Sequence, residues 1–422
     1  MNNMLSKTMK KQYPILILVL FFLFLAKENV NLVQEEKISP DNVEISKEVS
    51  PKELFLNSYK VIKNNYWDKA LCGENLLKWK KRYENKIKDD DDAKVAINSM
   101  LASLDDPYSK FLDKEEFLEQ TTSINSKIYG IGINIASQAG KIFIINVIKG
   151  TPADYADLKT GDMILKVNDK DAAGKSIFQI ANYIKDPAIK TVNLEILRDN
   201  KKLIKQVKKT EIKIKTVKAD ILDKQIGYIR ISSFISSETP IEFIDAMNKV
   251  KDTNALILDL RGNTGGLFQN AVFVADIFLE NKNIVSVLGR GGHKSLYKTH
   301  SKSYVYKKPM AVLVDNESAS ASEIVSGALK DNDRAIIVGT KTFGKGLVQK
   351  VFLMPNSTGM NLTIARYLTP DDIDINKKGI TPDYLVQITN EDRIANNDRQ
   401  LNFAKKTLLV EIERNKLAKN KI

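Results

Sequence analysis

Apolar and polar positions change period several times along the chain, and those changes divide it. Residues 15–26 are uninterrupted apolar positions preceded by Lys7, Lys10 and Lys11. That is the charged n-region and apolar h-region of an export signal, too short for an ordinary spanning helix. Ala26 is followed by Lys27 and Glu28 rather than by a clear cleavage site, so the segment reads as a signal peptide or an uncleaved anchor. Residues 27–50 are polar and weakly patterned, as a linker would be. Leu54, Tyr59, Ile62 and Tyr66 then recur at roughly helical spacing, and further helices are predicted over 76–87 and 93–104. A proline turn and a short helix over 104–117 read as helical packing, with no catalytic role expected. Between 129 and 197 the pattern shortens to strands over 133–135, 141–147, 163–167 and 191–197, with a helix around 177–184. Buried strands over 225–231, from 255, and over 311–315 and 335–339 alternate with helices over 240–251, 271–279 and 323–330. Such alternation predicts a parallel α/β core. A strand over 360–367 follows, and helical spacing returns over 391–417 through Leu401, Ala404, Leu408 and Ile412.

The chemistry concentrates in residues 318–349, SASASEIVSGALKDNDRAIIVGTKTFGKGLVQ. Three serines sit where a buried strand turns into a helix, and a glycine-flanked lysine, Lys345, follows the next strand. A serine hydroxyl attacks a carbonyl only if a base removes its proton, usually a histidine. The two histidines, His293 and His300, lie in a polar segment without a strand or helix signal to position them. A lysine can serve instead when it is neutral, which burial favours by penalising the ammonium. Phe343, Leu347 and Val348 are expected to wall Lys345 in, while Gly344 and Gly346 allow close backbone approach. The helix start offers N–H groups to a developing oxyanion. A second stretch, ALILDLRGNTGGL from Ala255, runs from a buried strand into Gly265 and Gly266, whose bare N–H groups can supply the other half of that hole. The residues alone do not choose among Ser318, Ser320 and Ser322.

DLRGNTGG, SASASEI and TFGKGLVQ, in this order, resemble the signatures of the C-terminal processing peptidases, or tail-specific proteases, which are serine-lysine endopeptidases with a PDZ domain. The resemblance implies Ser320 as nucleophile, Lys345 as base, Gln349 as the residue orienting the lysine, and the backbone N–H groups of Gly266 and Ala321 as oxyanion donors. Leu104 to Ser109 resembles the family's segment just before the PDZ domain, with no catalytic residue implied there, and YGIG, GTPADYADL and GDMILKVND resemble the PDZ domain itself. There Tyr129, Gly130, Ile131, Gly132 and Ile133 would hold a terminal carboxylate while the peptide adds as a strand. Arg198 stands where an arginine could report peptide docking.

The implied architecture is an α/β, α+β multi-domain chain with a core similar to the Clp peptidase and crotonase group. Its expected divisions are a signal or anchor at 1–26, a linker at 27–50, a helical region at 51–118, a PDZ domain at 119–208, a protease core at 209–390 and a helical segment at 391–422. Asp371 and Asp372 replace a glycine common in the family's closing segment.

Composition limits the alternatives. The 422 residues are 43% hydrophobic and 28% charged, an ordinary globular balance. The net charge of +13 comes from scattered lysines, the densest run over 201–218 alternating with apolar residues, so no nucleic-acid partner is expected. A single cysteine, Cys72, allows no internal disulfide and no cysteine-based metal cluster. The chemistry needs no metal or organic cofactor. Expected partners are protein substrates with a free, apolar C-terminus, with membrane contact only through the N-terminal segment; an adaptor protein and a homodimer are compatible. The expected location is periplasmic, or inner-membrane-anchored facing the periplasm. A silent PDZ scaffold is disfavoured by intact Ser320, Lys345 and Gln349, and a crotonase-like acyl-CoA enzyme by the export signal.

Overall fold

The computed structural model describes residues 47–124, 127–186, 188–213, 215–300 and 306–419. The apolar segment 15–26 and the linker through residue 46 lie outside them. Among the described residues no helix is long and apolar enough to cross a membrane.

The core is a six-stranded sheet in the order Val217–Leu222, Ile226–Ile231, Ala255–Asp259, Met310–Val314, Ile336–Gly339 and Tyr384–Leu385. Only the first pair is antiparallel. Leu256, Leu258, Val312 and Val314 pack on one face against helices Thr239–Val250, Phe268–Asp276 and Ala321–Asp331. Ala255, Ile257, Ala311 and Leu313 pack on the other against Ala404, Leu408 and Ile412 of helix Arg399–Lys419. Burial on both faces is why these strands read as continuous apolar runs. Three neighbouring parallel strands end in the glycine-rich loop, the serine turn and the lysine loop. Sheet order therefore brings together three segments far apart in sequence.

The final helix is tied to this edge by Arg261. Its guanidinium grips fully buried Asp259 (Nε to Oδ1 3.0 Å, Nη2 to Oδ2 2.7 Å) and Asp398 (both bonds 2.8 Å), and also donates to Gln400. Two bidentate pairs on one planar fork are a geometry that lysine cannot reproduce. Helical spacing over 391–417 resolves into two helices, Asn390–Ile394 and Arg399–Lys419, and the break between them carries Asp398.

A second sheet is built on the long strand Thr358–Leu368. Leu347–Met354 pairs along one side, and Lys110–Leu112 and Asn283–Gly289 pair on the other. Asn283–Gly289 also forms a hairpin with Lys294–Lys298. The histidine-bearing segment thus contains a strand where none was expected. Lys294, Leu296 and Lys298 are exposed, and Tyr297 supplies the packing contact, against Phe268 at 4.8 Å. One inward side chain leaves almost no apolar alternation to read. Helices Pro51–Asn65, Leu76–Tyr83 and Asp90–Ala102 cover this sheet through Phe55, Ile62 and Met100, which meet Met354, Met360 and Leu362. The short strand Lys110–Leu112 consequently pins the turn before it beside strand Thr358–Leu368.

The intervening module has its own sheet, Ile133–Gln138, Lys141–Val147, Met163–Val167, Thr191–Arg198 and Lys201–Lys208, with Lys170–Asp171 at its side. Ile142, Ile164, Val192, Leu194 and Ile180 of helix Ile177–Lys185 form its separate core. The chain enters and leaves it through the antiparallel pair Lys127–Gly130 and Thr210–Lys213.

Candidate active site

The three serines of the turn are not equivalent. Ser318 is fully buried and its Oγ donates to the Leu260 carbonyl at 2.9 Å. Ser322 is equally buried and its Oγ donates to the Asn263 carbonyl at 2.8 Å. Both hydroxyls fasten the serine turn to the glycine-rich loop. Ser320 lies between them, half-buried, at φ 55° and ψ −114°. L residues rarely adopt that conformation, and a sharp strand-to-helix turn of this kind is one way to present a hydroxyl to a substrate.

Glu323 joins this turn to the lysine loop. Its buried carboxylate accepts from the N–H groups of Ser320 (2.9 Å), Gly344 (2.7 Å) and Lys345 (2.9 Å) and from Thr342 Oγ1 (2.6 Å). Burial pushes its carboxyl above the usual carboxylate range, and these four donors pull it partly back. Tyr367 staples the same two segments from the second sheet, its hydroxyl donating to the carbonyls of Ser320 (3.1 Å) and Lys345. Neither residue was singled out from the sequence. Glu323 does carry a signal, because Ser-x-x-Glu before an apolar run is the capping-box spacing.

Lys345 is part-buried, and burial holds its amine below the ordinary lysine range; the negative charges of Asp106 and Glu323 pull it back up. Phe343 does not wall it in, being 56% exposed. The aromatic ring that covers it is Tyr108, whose centroid lies 4.7 Å from Nζ. Tyr108 belongs to the turn for which the sequence suggests helical packing and a family resemblance but no catalytic role. In that turn Asp106 accepts from Ser109 Oγ (2.6 Å) and the Tyr108 N–H (3.0 Å), while Ser109 Oγ accepts from the Thr363 N–H at 3.0 Å. Gln349 is brought to the same place, but its Nε2 donates to Thr363 Oγ1 at 3.2 Å rather than to Lys345. The pairing register shifts between Val348 and Gln349, and such a bulge re-aims the side chain.

The glycine-rich loop meets the serine turn closely. A Cβ on Gly265, at φ 102°, would stand 2.8 Å from both Ser320 Cβ and the Ala319 carbonyl oxygen and 3.0 Å from Ala321 N. One on Gly266, at φ 147°, would stand 2.2 Å from Ile235 N. Only glycine fits either position. Asn263 holds the loop, accepting from Gly265 N (2.9 Å) and donating to the Ile231 carbonyl (2.8 Å). Among the described residues, neither Gly266 N–H nor Ala321 N–H, the pair expected as oxyanion donors, finds a protein acceptor.

In the intervening module, Gly130, Ile131, Gly132, Ile133 and Ile135 line a groove of about 120 Å³ with Ile148, Ala181 and Ile184. Strand Ile133–Gln138 and helix Ile177–Lys185 form its walls, and the lining is mostly aliphatic. Tyr129 lies outside that lining, half exposed, under Lys209 Nζ at 5.3 Å. Arg198 is engaged within the module. It grips buried Asp162 (2.6 and 2.7 Å) and Asp157 (3.0 Å), which holds the Asp157 carboxyl down at about 2. Of the histidines, His293 is exposed at the hairpin turn, and the His300 ring lies 3.3 Å from Asp276 at the end of helix Phe268–Asp276.

Residues 225–386 match the peptidase family S41 and residues 130–208 match the PDZ domain. The carboxyl-terminal-processing protease of Synechocystis sp. (strain ATCC 27184 / PCC 6803 / Kazusa) is 33% identical over 345 residues, covering 79% of this chain and 80% of its own. Carboxy-terminal processing protease CtpA of Bacillus subtilis (strain 168) is 37% identical over 307 residues, 72% of this chain and 66% of its own. Among solved structures, the photosystem II D1 C-terminal processing protease superposes with a TM-score of 0.55 at 29% identity, over 80% of this chain and 94% of that one. The chain therefore belongs to the carboxyl-terminal processing proteases of family S41, serine-type peptidases with a PDZ domain.

Proposed function

We propose that this protein is an exported endopeptidase that selects protein substrates by a free, apolar C-terminus and cuts them with a Ser320–Lys345 dyad. The observation that carries the reading is the Glu323 carboxylate, which binds the backbone of both dyad residues at once and sets the serine turn against the lysine loop. Neutral Lys345 takes the proton of Ser320 Oγ as that oxygen bonds to the scissile carbonyl carbon. The carbonyl oxygen becomes an oxyanion facing the N–H groups of Gly266 and Ala321. Lys345 then gives the proton to the leaving amine as the C–N bond breaks, and water hydrolyses the acyl-enzyme by the reverse sequence. The aliphatic groove between strand Ile133–Gln138 and helix Ile177–Lys185 suits a tail added as an extra strand, its carboxylate at the Gly130–Gly132 turn. The lysines before the apolar run at 15–26 support export, to the periplasm or the periplasmic face of an inner membrane.

The test is cleavage of an unfolded reporter ending in an apolar residue, with a free or an amidated C-terminus. Amidation is expected to slow cleavage about tenfold or more, a hydrogen bond to a charged group contributing about 1.5–3 kcal/mol. A His293/His300 double alanine variant should cut normally. Equal rates for both tails would remove the tail reading, and a requirement for either histidine would remove the dyad. Gly132→Ala gives a finer check. At φ 92° its Cβ would lie 2.2 Å from Thr151 Oγ1, so the turn must shift. Peptide binding, read by fluorescence polarisation, should weaken while a tail-independent peptide is still cleaved.

A further inference from the structure

We infer that the turn formed by residues 106–109 is a third part of the catalytic apparatus, in which Asp106 and the face of Tyr108 position Lys345 and stabilise the ammonium it becomes on taking the Ser320 proton. The inference rests on the serine-lysine reading above.

Asp106 is 7% exposed, and among the described residues it forms no ion pair. Its two bonds come from neutral donors of its own turn, Ser109 Oγ and the Tyr108 N–H. An ionised carboxylate kept out of water without a cation is costly, and a cation arriving opposite it relieves that cost. Lys345 is the amine brought to this turn: its Nζ lies over the ring of Tyr108, whose N–H binds Asp106, and the negative charge of Asp106 favours its ammonium. The Tyr108 ring adds a second favourable surface, with Nζ 4.7 Å from its centroid and within cation–π range.

The other groups facing Lys345 do not replace these two. Glu323, from helix Ala321–Asp331, is engaged by four donors. Tyr367, from strand Thr358–Leu368, directs its hydroxyl to backbone carbonyls, and burial keeps both its phenol and that of Tyr108 neutral. An interaction with the ammonium is weak while the lysine is neutral and full once the proton has moved. It therefore favours the charged intermediate over the resting enzyme and raises kcat. This is the part that the carboxylate plays toward a histidine in a serine-histidine-aspartate site. The turn is held for it by Ser109, which binds the Thr363 N–H, and by strand Lys110–Leu112, which pairs with residues 359–361.

The experiment is kcat/KM against pH for the full protein, comparing wild type with Asp106→Asn, Tyr108→Phe, Tyr108→Leu and Lys345→Ala. Asp106→Asn and Tyr108→Leu should each lower the high-pH plateau about tenfold. Both should also move the acid limb to lower pH, because an ammonium with less support gives up its proton more readily. Tyr108→Phe keeps the ring face and should behave as wild type. A lowered plateau with an unmoved limb means that the turn only supports the fold and overturns the inference. A limb that moves to higher pH overturns it as well. If Asp106→Asn fails to fold, Tyr108→Leu against Tyr108→Phe decides alone. NMR titration of the Lys345 side chain in a Ser320→Ala background gives the same answer without activity. Lys345→Ala separates the two readings. Cleavage at the wild-type rate by that variant ends the dyad itself, whereas a silent Lys345→Ala with an unmoved Asp106→Asn limb ends only this inference.

Discussion

Arginine in place of Lys345 should abolish cleavage as completely as alanine does, by a factor of about a thousand or more in kcat, as is usual when the base of such a unit is lost. Arginine keeps the charge, the length and much of the packing under Tyr108, so a lysine acting by charge or by contact alone would be rescued in part. A lysine acting as base would not be, because a guanidinium does not give up its proton in a protein. The pH dependence follows from the same requirement. Burial holds the Lys345 amine below the ordinary lysine range. Its neutral form is therefore present at lower pH than for an exposed lysine, and kcat/KM should rise with pH to a plateau reached before that range. Activity retained by Lys345→Arg in a reporter assay would rule out a basic role. Ser320→Ala must be equally silent, while Ser318→Ala and Ser322→Ala should lower thermal stability and leave measurable turnover.

The second large effect is expected at Glu323. Alanine there leaves the N–H groups of Ser320, Gly344 and Lys345 and the Thr342 hydroxyl without their acceptor, in a pocket closed to water. Each orphaned group costs about 1–3 kcal/mol, and because they relax together the sum should fall near 3–5 kcal/mol rather than at the arithmetic total. Calorimetry should show a much lower Tm, and turnover measured well below that Tm should still fall at least tenfold, because the serine turn and the lysine loop lose their common tie. Glu323→Gln keeps the size and one acceptor but turns an NH2 group toward N–H donors, so it should lie between wild type and alanine. An unchanged Tm in Glu323→Ala would mean that the two loops are held by other contacts, Tyr367 foremost.

The core was legible in the sequence because both faces of its sheet are buried. Runs such as ALILD and MAVLV are buried at every position and short, as strands are, and helix Thr239–Val250 carries a clear stripe of Phe243, Ala246, Met247 and Val250. The chemistry was legible to the extent that it sits in loops following those strands. The hairpin that holds the histidines was not, since its second strand puts a single side chain on apolar packing. The turn at Asp106 and Tyr108 was hidden for a different reason. Nothing local says that residues more than two hundred positions from the lysine are carried to it, and strand Lys110–Leu112, which carries them, is three residues long. Gln349 is a smaller case of the same kind, its direction depending on a one-residue shift in pairing. The three serines, alike in the sequence, differ in the structure. Two of the hydroxyls are tied to the glycine-rich loop.

The Arg261 grip on Asp398 has a consequence for the order in which the molecule can become competent. Asp259, at the root of the loop carrying Gly265 and Gly266, is fully buried between two guanidiniums, and the one from Arg261 is steadied by a carboxylate 137 residues later. Until Asp398 and helix Arg399–Lys419 have been made, that guanidinium lacks its second partner, and Ala255, Ile257, Ala311 and Leu313 lack the contacts of Ala404, Leu408 and Ile412. The fragment emerging from the ribosome already contains Ser320 and Lys345, yet the Arg261 grip beneath the opposing loop is still half made. Helix Arg399–Lys419 works as a keystone, set into a sheet whose reactive loops are already spelled out by the residues before it.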